Sequence, residues 1–193
     1  MDLKGKNIGF AMCGSFCTFQ RALKAAAELK KTGANIIPIM SHTAYNTDTR
    51  FGSSESFKLE LEGICENKIL YTIYETEPIG PKKMLDALII MPCTGNTLAK
   101  LSNGIADSSV TLAAKAHLRN KRPLIIAVST NDGLGAAAEN IGRLLSRKHY
   151  YFVPFRQDDC INKPNSLVAD FSLLNKTLEL ALEDKQLQPI LAV

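Results

Sequence analysis

The sequence predicts an α/β fold in which a mostly parallel sheet is covered by helices on both faces. Short apolar runs alternate with stretches whose apolar residues recur at helical spacing, which is the pattern of strands alternating with helices. Each predicted strand is a continuous apolar run, as expected of a strand buried on both faces. The chain of 193 residues therefore suits one Rossmann-like or flavodoxin-like three-layer domain over residues 1–193.

The first predicted elements form a βαβ unit. Residues 7–12 are an apolar run, residues 19–29 carry apolar side chains at helical spacing, and residues 36–40 are a second run. Gly33 stands where a glycine commonly ends a helix. Pro38 lacks a backbone N–H and predicts that the second strand lies at an edge of the sheet or is irregular.

The next segment is less regular, and the alternation then resumes. Residues 57–64 suggest a less regular helix before the apolar segment 69–73, and residues 77–81 form a proline-rich connector expected to hold one conformation. Further strands are predicted at residues 87–91 and 124–128, with 150–153 as the last strand. Further helices are predicted at residues 110–118, 134–147 and 173–182.

The composition is that of a soluble globular protein, with 46% apolar and 22% charged residues and a net charge of +4. Basic residues are scattered among acidic ones apart from the turn 119–122, so no nucleic-acid surface is predicted. No apolar run reaches the length of a membrane span and no secretory leader is recognisable at the start. We therefore expect a cytoplasmic protein without a membrane association.

The cysteines and histidines do not indicate a metal site. Five cysteines are an odd number, as expected of reduced thiols. Cys13 and Cys17 lack the neighbours that a zinc site needs, so both are predicted to be small buried residues. His117 and His149 are predicted to lie at the surface or at helix ends.

Ligands of parallel α/β sheets bind beyond the carboxyl ends of the strands. Four loops start there, at Cys13, Ser41, Pro92 and Ser129, and all are rich in hydroxyl, amide or glycine residues. Because these strand ends meet at one edge, the loops can converge on one ligand.

Residues 92–109 are the most informative of these loops, because a polar, glycine-bearing turn there leads from a strand into a helix. Unpaired N–H groups and the helix dipole make such a turn suitable for a phosphate or another anion. Thr94, Asn96 and Thr97 add side-chain donors. Gly14-Ser15 alone is equally compatible with a plain helix cap, but together with residues 92–97 it favours a phosphate site.

Other candidates are weaker. Residues 133–138 match G-x-G-x-x-A, but four residues separate the first glycine from the strand end, which favours a loop and helix start over an NAD site. His42 lies in a ligand-facing loop, where a structural role is favoured over acid/base catalysis.

Cys93 is predicted to be a small buried residue, because no general base accompanies it. The loop 156–166 is long enough to cover a ligand or to form an intersubunit contact, with a solvated surface loop as the alternative.

The segment PCTGNTLAKLSNGIAD resembles a motif of the flavoprotein family that includes FMN-dependent cysteine decarboxylases and flavin prenyltransferases. The residues in register with that motif are Pro92, Asn96, Thr97, Lys100, Gly104 and Asp107. The resemblance spans most of the chain and implies an FMN site. The implied cofactor-binding residues are Gly14, Ser15, Ser41, Thr94, Gly95, Asn96, Thr97, Ser129, Thr130 and Asn131.

The decarboxylases of the family carry an active-site histidine where this chain has Pro78, so the resemblance argues against cysteine decarboxylation and leaves the catalytic residue unassigned. Segments such as NTDTRFG and EPIGPK resemble members that help to oxidise a tetrahydrodipicolinate-type intermediate to pyridine-2,6-dicarboxylate for bacterial spores. That resemblance implies a separate partner, because those members are B subunits that work beside an A subunit, and the A subunit binds NAD(P). The family resemblance also implies trimer-based homo-oligomers of this chain. Charge and loop position make Arg50, Arg156 and Lys163 the best cations for two carboxylates.

Two alternatives stay open for the activity. The leading hypothesis is an oxidoreductase subunit with FMN and a cyclic dicarboxylate bound side by side. Its rivals are a non-catalytic flavin-fold scaffold that completes the active site of the A subunit, and an FMN-dependent decarboxylase or prenyltransferase.

Overall fold

The computed structural model describes residues 2–192 and, within them, places seven strands in one sheet. The strands are β1 (Asn7–Met12), β2 (Asn35–Met40), β3 (Ala87–Cys93), β4 (Leu124–Thr130), β5 (Tyr150–Phe152), β6 (Phe155–Arg156) and β7 (Leu167–Ala169). The α-helices are α1 (Phe19–Lys30), α2 (His42–Asn46), α3 (Ser54–Cys65), α4 (Ile73–Thr76), α5 (Gly95–Ser102), α6 (Ser109–Leu118), α7 (Ala137–Leu145) and α8 (Leu174–Ala181). Short 3-10 turns occupy Phe16–Thr18, Glu77–Ile79 and Phe171–Leu173.

The sheet is mostly parallel, which confirms the predicted fold class. Its order is β2-β1-β3-β4-β7-β6, and β5 also pairs with β4. Strands β1 to β5 run parallel, whereas β7 is antiparallel to both β4 and β6. The prediction that residues 150–153 form the last strand is wrong, because β6 and β7 follow. Each of these two strands is too short to give a distinct apolar run.

Strand β2 lies at the edge of the sheet, as Pro38 predicts. Asn35 N donates to Lys6 O at 2.9 Å, so the odd-numbered residues of β2 face β1. Pro38 faces outward, where its carbonyl accepts from Leu70 N at 2.9 Å. The missing N–H of Pro38 therefore interrupts no bond between β1 and β2. Of the apolar segment 69–73, Leu70 forms an isolated bridge with Ile39.

Two groups of helices cover the sheet. Helices α1, α3 and α8 form one group, with α1 in contact with both others, while α5 packs on α6 and α7 in the second. Strand β3 is buried along its whole length, as a strand covered on both faces must be. Helix α3 is more regular than the sequence suggested. Ser53 caps its first turn, and Phe57 packs edge-on against Phe19 with the ring centroids 5.0 Å apart.

His117 lies in the last turn of α6, which confirms the predicted helix-end position, but it is not at the surface. His117 is 1% exposed in the alanine-rich helix α6, and its Nε2 donates to Pro123 O at 3.0 Å. Burial lowers the pKa of His117 to about 4. Its ring contacts the chain just before β4, a contact that the local sequence pattern does not reveal. His149 is partly exposed in the turn before β5.

None of the helices described between residues 2 and 192 is long and apolar enough to cross a membrane.

Candidate functional site at the carboxyl edge of the sheet

A cleft of about 1020 Å³ opens at the carboxyl edge of the sheet. The loops after β1, β3 and β4 line it, together with Arg50 and the loop that precedes β7. Ten residues proposed from the sequence lie in its wall, namely Gly14, Ser15, Arg50, Thr94, Gly95, Asn96, Ser129, Thr130, Asn131 and Lys163. Of the four loops predicted to converge, those after β1, β3 and β4 line the cleft, whereas Ser41 at the start of the loop after β2 does not.

Three other proposed residues lie outside the lining. Ser41 caps α2, where its Oγ accepts from Ala44 N at 3.2 Å. Thr97 is buried in α5, and its hydroxyl contacts Thr94 Oγ1 at 3.1 Å and Cys13 Sγ at 3.3 Å. Arg156 is exposed on β6. Ser41 and Thr97 thus contact the protein itself and hold neighbouring loops in place.

A cluster of hydroxyl groups joins the loops after β1 and β4. Ser15 Oγ lies 2.8 Å from Ser129 Oγ, which in turn lies 3.2 Å from Thr18 Oγ1. Thr18 Oγ1 also donates to Ser15 O at 2.8 Å. Because Thr18 donates its hydrogen to Ser15 O, Ser129 donates to Thr18 and Ser15 donates to Ser129, so all three hydroxyl hydrogens are used within the cluster. We refer to Ser15, Thr18 and Ser129 below as the hydroxyl cluster.

The N-terminus of α5 opens into the cleft. Thr94 caps the helix, and its Oγ1 accepts from Thr97 N at 3.3 Å. The N–H groups of Gly95 and Asn96 belong to the first turn and have no acceptor within the helix. A Cβ atom on Gly95 would lie 3.0 Å from Thr130 Oγ1. Glycine therefore keeps this helix start open for an anion to approach the backbone.

The N-terminus of α7 is closed by a carboxylate of its own loop. Asp132 Oδ1 accepts from Ala136 N at 3.2 Å, and Asp132 O accepts from Gly135 N at 3.1 Å and from Ala137 N at 3.2 Å. A Cβ atom on Gly133 would lie 2.6 Å from Leu167 Cβ, so that glycine serves close packing. The prediction of a loop and helix start at residues 133–138 is confirmed.

Five charged residues line the cleft, namely Arg21, Arg50, Asp132, Asp158 and Lys163. Lys163 Nζ lies 3.6 Å from Asp158 Oδ2. Burial alone would raise the pKa of Asp158, but hydrogen bonding with Ser166 and the charge of Lys163 lower it overall. Asp158 is therefore ionised near neutral pH, and the two acidic side chains of the cleft are both engaged by protein groups.

Sequence reasoning missed several lining residues, among them Phe16, Cys17, Arg21 and Phe51. The prediction that Cys17 is buried is wrong. The 3-10 turn Phe16–Thr18 turns Cys17 outward, and its Sγ lies 3.9 Å from Ser15 Oγ. The signal available was position, since Phe16 and Cys17 directly follow Gly14-Ser15 in the chain.

The remaining thiol and histidine candidates lie away from reactive positions. Cys93 is fully buried, and burial raises its pKa well above the usual value, which confirms its prediction as a small buried residue. Cys13 is also buried, with its pKa raised to about 11. His42 is exposed at the start of α2, outside the cleft lining, and its Nδ1 lies 3.2 Å from Asn46 Nδ2. Pro78 lies in the turn before β3, likewise outside the lining.

Residues 1–164 match the Flavoprotein family. The chain belongs to the flavoprotein family. The B subunit of dipicolinate synthase from Bacillus subtilis is 44% identical to this flavoprotein over 190 residues, which cover 98% of this chain and 95% of that protein. The family resemblance inferred from residues 92–107 is thereby confirmed.

Solved structures support the same family membership and the same fold. The crystal structure of the dipicolinate synthase B subunit from Bacillus halodurans is similar with a TM-score of 0.92 and 42% identity, over 100% of this chain and 99% of that one. An FMN-dependent cysteine decarboxylase gives a TM-score of 0.69 at 22% identity, over 93% of this chain and 98% of that one. At that identity the second structure supports the fold alone.

The cleft fits the cofactor that this family indicates. FMN combines a phosphate, a chain of hydroxyl groups and a planar ring. The open N–H groups of α5 provide donors for the phosphate, and the hydroxyl oxygens of Ser15 and Ser129 provide acceptors for the hydroxyl chain. Phe16 and Phe51 provide apolar surface for the ring. The cleft volume of about 1020 Å³ is close to the upper limit of the roughly 300–1,000 Å³ that small-molecule sites occupy.

Proposed function

We propose that this flavoprotein binds FMN in the cleft and acts as the B subunit of a dipicolinate synthase. In that role it takes part in the oxidation of a tetrahydrodipicolinate-type intermediate to pyridine-2,6-dicarboxylate for bacterial spores. The observation that carries the proposal is the 44% identity to the B subunit of the Bacillus subtilis enzyme over 98% of the chain. The cytoplasm is the proposed location.

The proposed FMN site is divided among three loops. Gly95 and Asn96 would donate their N–H groups to the phosphate, and Gly14 and Ser15 would line the site from the loop after the neighbouring strand β1. Ser129, Thr130 and Asn131 would bind the polar chain of the cofactor. When bound, FMN supplies two-electron redox chemistry, while the protein orients the substrate and excludes water.

Ser41, Thr94 and Thr97 contribute indirectly in this proposal. Thr94 and Thr97 form a hydrogen-bonded pair that fixes the first turn of α5. Ser41 fixes the start of α2 beside the end of β2. Their substitution is therefore expected to loosen the pocket rather than to remove a direct contact.

Of the cations proposed from the sequence, Arg50 and Lys163 line the cleft. We propose that Arg50 binds a substrate carboxylate, while Lys163, whose Nζ lies 3.6 Å from Asp158 Oδ2, has a supporting role. Arg156 stands on β6 where the loop toward Lys163 begins, a position suited to an anion that approaches from solvent. We assign no residue to proton transfer.

The proposed partner is the A subunit of the same enzyme, which would carry NAD(P), and the proposed assembly of this chain is a trimer-based homo-oligomer. The adjacent side chains of Ile73 and Tyr74 on α4 are 49% and 89% exposed, which supports an apolar contact with another chain. Sedimentation of wild type and of Tyr74→Glu would test the oligomer, since a buried carboxylate should dissociate it.

A non-catalytic scaffold for the A subunit is the second candidate. It is favoured by one observation, that Asp132 and Asp158 in the cleft are both engaged in contacts with the protein. Such groups are poorly placed to carry protons to and from a substrate.

An absorbance scan followed by an activity assay separates the candidates. The purified chain, titrated with FMN, should show the flavin bands shifted by the protein environment. A colourless chain that binds no added FMN would contradict the cofactor proposal. Turnover of the substrate by this chain on its own, without the partner, would exclude the pure scaffold. Decarboxylation of a cysteine-terminated peptide, or prenylation of the flavin, would instead favour the remaining alternative.

A further inference from the structure

Two arginines in the wall of the cleft are each stacked on a phenylalanine ring. The guanidinium carbon of Arg21, on α1, lies 5.0 Å from the ring centroid of Phe171. The guanidinium carbon of Arg50, between α2 and α3, lies 4.9 Å from the ring centroid of Phe51. Both arginines line the same cleft.

Within residues 2–192, neither arginine forms an ion pair with a carboxylate. Arg21 Nη2 reaches Ala169 O at 3.5 Å, a long hydrogen bond to an uncharged acceptor. The acidic side chains that line the cleft are occupied elsewhere, Asp132 by the start of α7 and Asp158 by Lys163. The cleft thus holds two guanidinium groups whose charge no carboxylate of the described chain neutralises.

Stacking on an aromatic ring covers one face of a guanidinium group and leaves its edge free to donate hydrogen bonds. It also reduces the number of side-chain orientations that must be given up when a ligand binds. A planar guanidinium edge matches the two oxygens of a carboxylate in a bidentate arrangement. Two such groups at one cleft are suited to a small ligand with two carboxylates.

We propose that Arg21 and Arg50 form a dicarboxylate clamp, in which each arginine binds one carboxylate of a planar pyridine-2,6-dicarboxylate-type ligand. The identity of the ligand rests on the proposed function, whereas the pairing of the arginines rests on their contacts. Phe171 and Phe51 are positioning residues. Lys163 is secondary in this arrangement, because Asp158 already lies beside it.

The test measures ligand binding to the full chain by calorimetry, with FMN, riboflavin, pyridine-2,6-dicarboxylate and pyridine-2-carboxylate as separate probes. Arg21→Met removes the guanidinium, and Lys24→Met is the matched control. Lys24 is exposed on the same helix but does not line the cleft. Both substituted side chains are exposed, so neither change should unfold the protein.

Wild type should bind the dicarboxylate more tightly than the monocarboxylate. In Arg21→Met the dicarboxylate should bind about tenfold to a hundredfold more weakly, as expected for the loss of one charge-assisted contact. The monocarboxylate should change by less than about threefold, because Arg50 still binds its single carboxylate. Lys24→Met should match wild type for both ligands. Arg21→Lys should recover only part of the lost affinity, because an ammonium group neither stacks on an aromatic ring nor donates two parallel hydrogen bonds to a carboxylate.

A second variant tests the stacking. Phe171→Leu keeps an apolar side chain under Arg21 but removes the ring face, so the dicarboxylate should bind about threefold more weakly while the monocarboxylate is unaffected. An unchanged preference for the dicarboxylate in both Arg21→Met and Phe171→Leu would overturn the clamp.

The FMN phosphate is the rival anion for Arg21, and the flavin probes distinguish it. If Arg21→Met weakens FMN but not riboflavin, Arg21 binds the phosphate and the clamp is overturned. If wild type binds FMN but no dicarboxylate, the clamp is overturned and the cofactor proposal stands. If the dicarboxylate binds through Arg21 while FMN does not bind, the clamp stands and the cofactor proposal fails.

Discussion

At the amino end of the sheet, three polar side chains bond to the protein itself, whereas at the carboxyl end several N–H donors face an open cleft. Arg122 donates to the carbonyls of Lys83 and Leu85 just before β3. Asp86 Oδ2 accepts from Asn7 N at 2.9 Å, and His117 donates to Pro123 O. These contacts tie the strand starts together.

At the carboxyl end, the first-turn N–H groups of Gly95 and Asn96 and the guanidinium groups of Arg21 and Arg50 face the cleft instead. The two ends have similar polar residue types but differ in what satisfies them. A polar residue therefore marks a binding site when the fold leaves its donors without a protein acceptor. Four substitutions or modifications test this contrast.

The largest effect is expected from His117→Gln at the amino end. The pKa of His117 is about 4 in the folded protein and about 6.5 when unfolded, so only the unfolded chain takes up a proton as the pH falls between these values. Wild-type stability should therefore decline by about 3 kcal/mol from pH 7 to pH 4 through this group. Glutamine can still donate to Pro123 O but does not titrate.

Urea denaturation of both proteins across this pH range provides the measurement. The free energy of unfolding of His117→Gln should not show the loss that protonation of His117 causes in wild type between pH 7 and pH 4. Its FMN affinity at pH 7 should equal that of wild type. Identical pH slopes for wild type and variant would contradict the buried, neutral state of His117.

At the carboxyl end, Gly95→Val should abolish most cofactor binding while leaving the fold intact. Its Cβ would stand 3.0 Å from Thr130 Oγ1, and its branches would occupy the approach to the α5 N–H groups. We expect FMN to bind about a hundredfold more weakly, which corresponds to about 2.7 kcal/mol. Fluorescence titration with FMN gives the affinity.

Gly142→Ala is the matched control, because a Cβ atom there meets no atom within 4 Å in the middle of α7. It should leave FMN binding unchanged and raise stability by up to about 1 kcal/mol. Normal FMN binding by Gly95→Val would place the phosphate elsewhere.

Asp132→Ala tests the start of α7, a helix start at the carboxyl end that a carboxylate of its own loop satisfies. Loss of the carboxylate leaves Ala136 N without its acceptor and should cost about 1–2 kcal/mol of unfolding free energy. FMN affinity should change by less than about threefold. Thermal denaturation and FMN titration of Asp132→Ala, with Asp132→Asn as the variant that keeps an acceptor, provide the check. A large loss of FMN binding in Asp132→Asn would make Asp132 a ligand contact.

The smallest effect concerns thiol reactivity. Cys17 and Cys160 are exposed, whereas Cys13, Cys65 and Cys93 are buried. Mass spectrometry after brief alkylation should find only the first two modified, because burial holds the pKa of the other thiols high. Saturating FMN should slow the modification of Cys17, which lines the cleft, and not that of Cys160. Equal protection of both thiols would point to a general closure instead.

Much of the fold was predictable because its signals are local. Strands β1 to β4 are continuous apolar runs, and parallel pairing then brings their following loops to one edge. Strands β6 and β7 escaped prediction because two or three residues cannot establish a period. Their pairing depends on the end of β4, which is a tertiary contact.

The candidate site was predictable as a set of loops but not as a set of side-chain directions. Ser41 and Thr97 belong to the expected segments, yet they contact neighbouring protein groups outside the cleft lining. Arg21 looks like a solvated helix residue in the sequence. Its position becomes informative only through Phe171, 150 residues further along the chain.

The hydroxyl cluster also bears on which anions the cleft attracts. Ser15, Thr18 and Ser129 satisfy one another, so a small inorganic ion gains new hydrogen bonds only by breaking those already present. A larger ligand that is anchored at several other points can instead donate to the free lone pairs of the hydroxyl oxygens and leave these bonds intact. At these three residues the cluster therefore favours a ligand with hydroxyl donors over a small inorganic anion such as phosphate or sulfate.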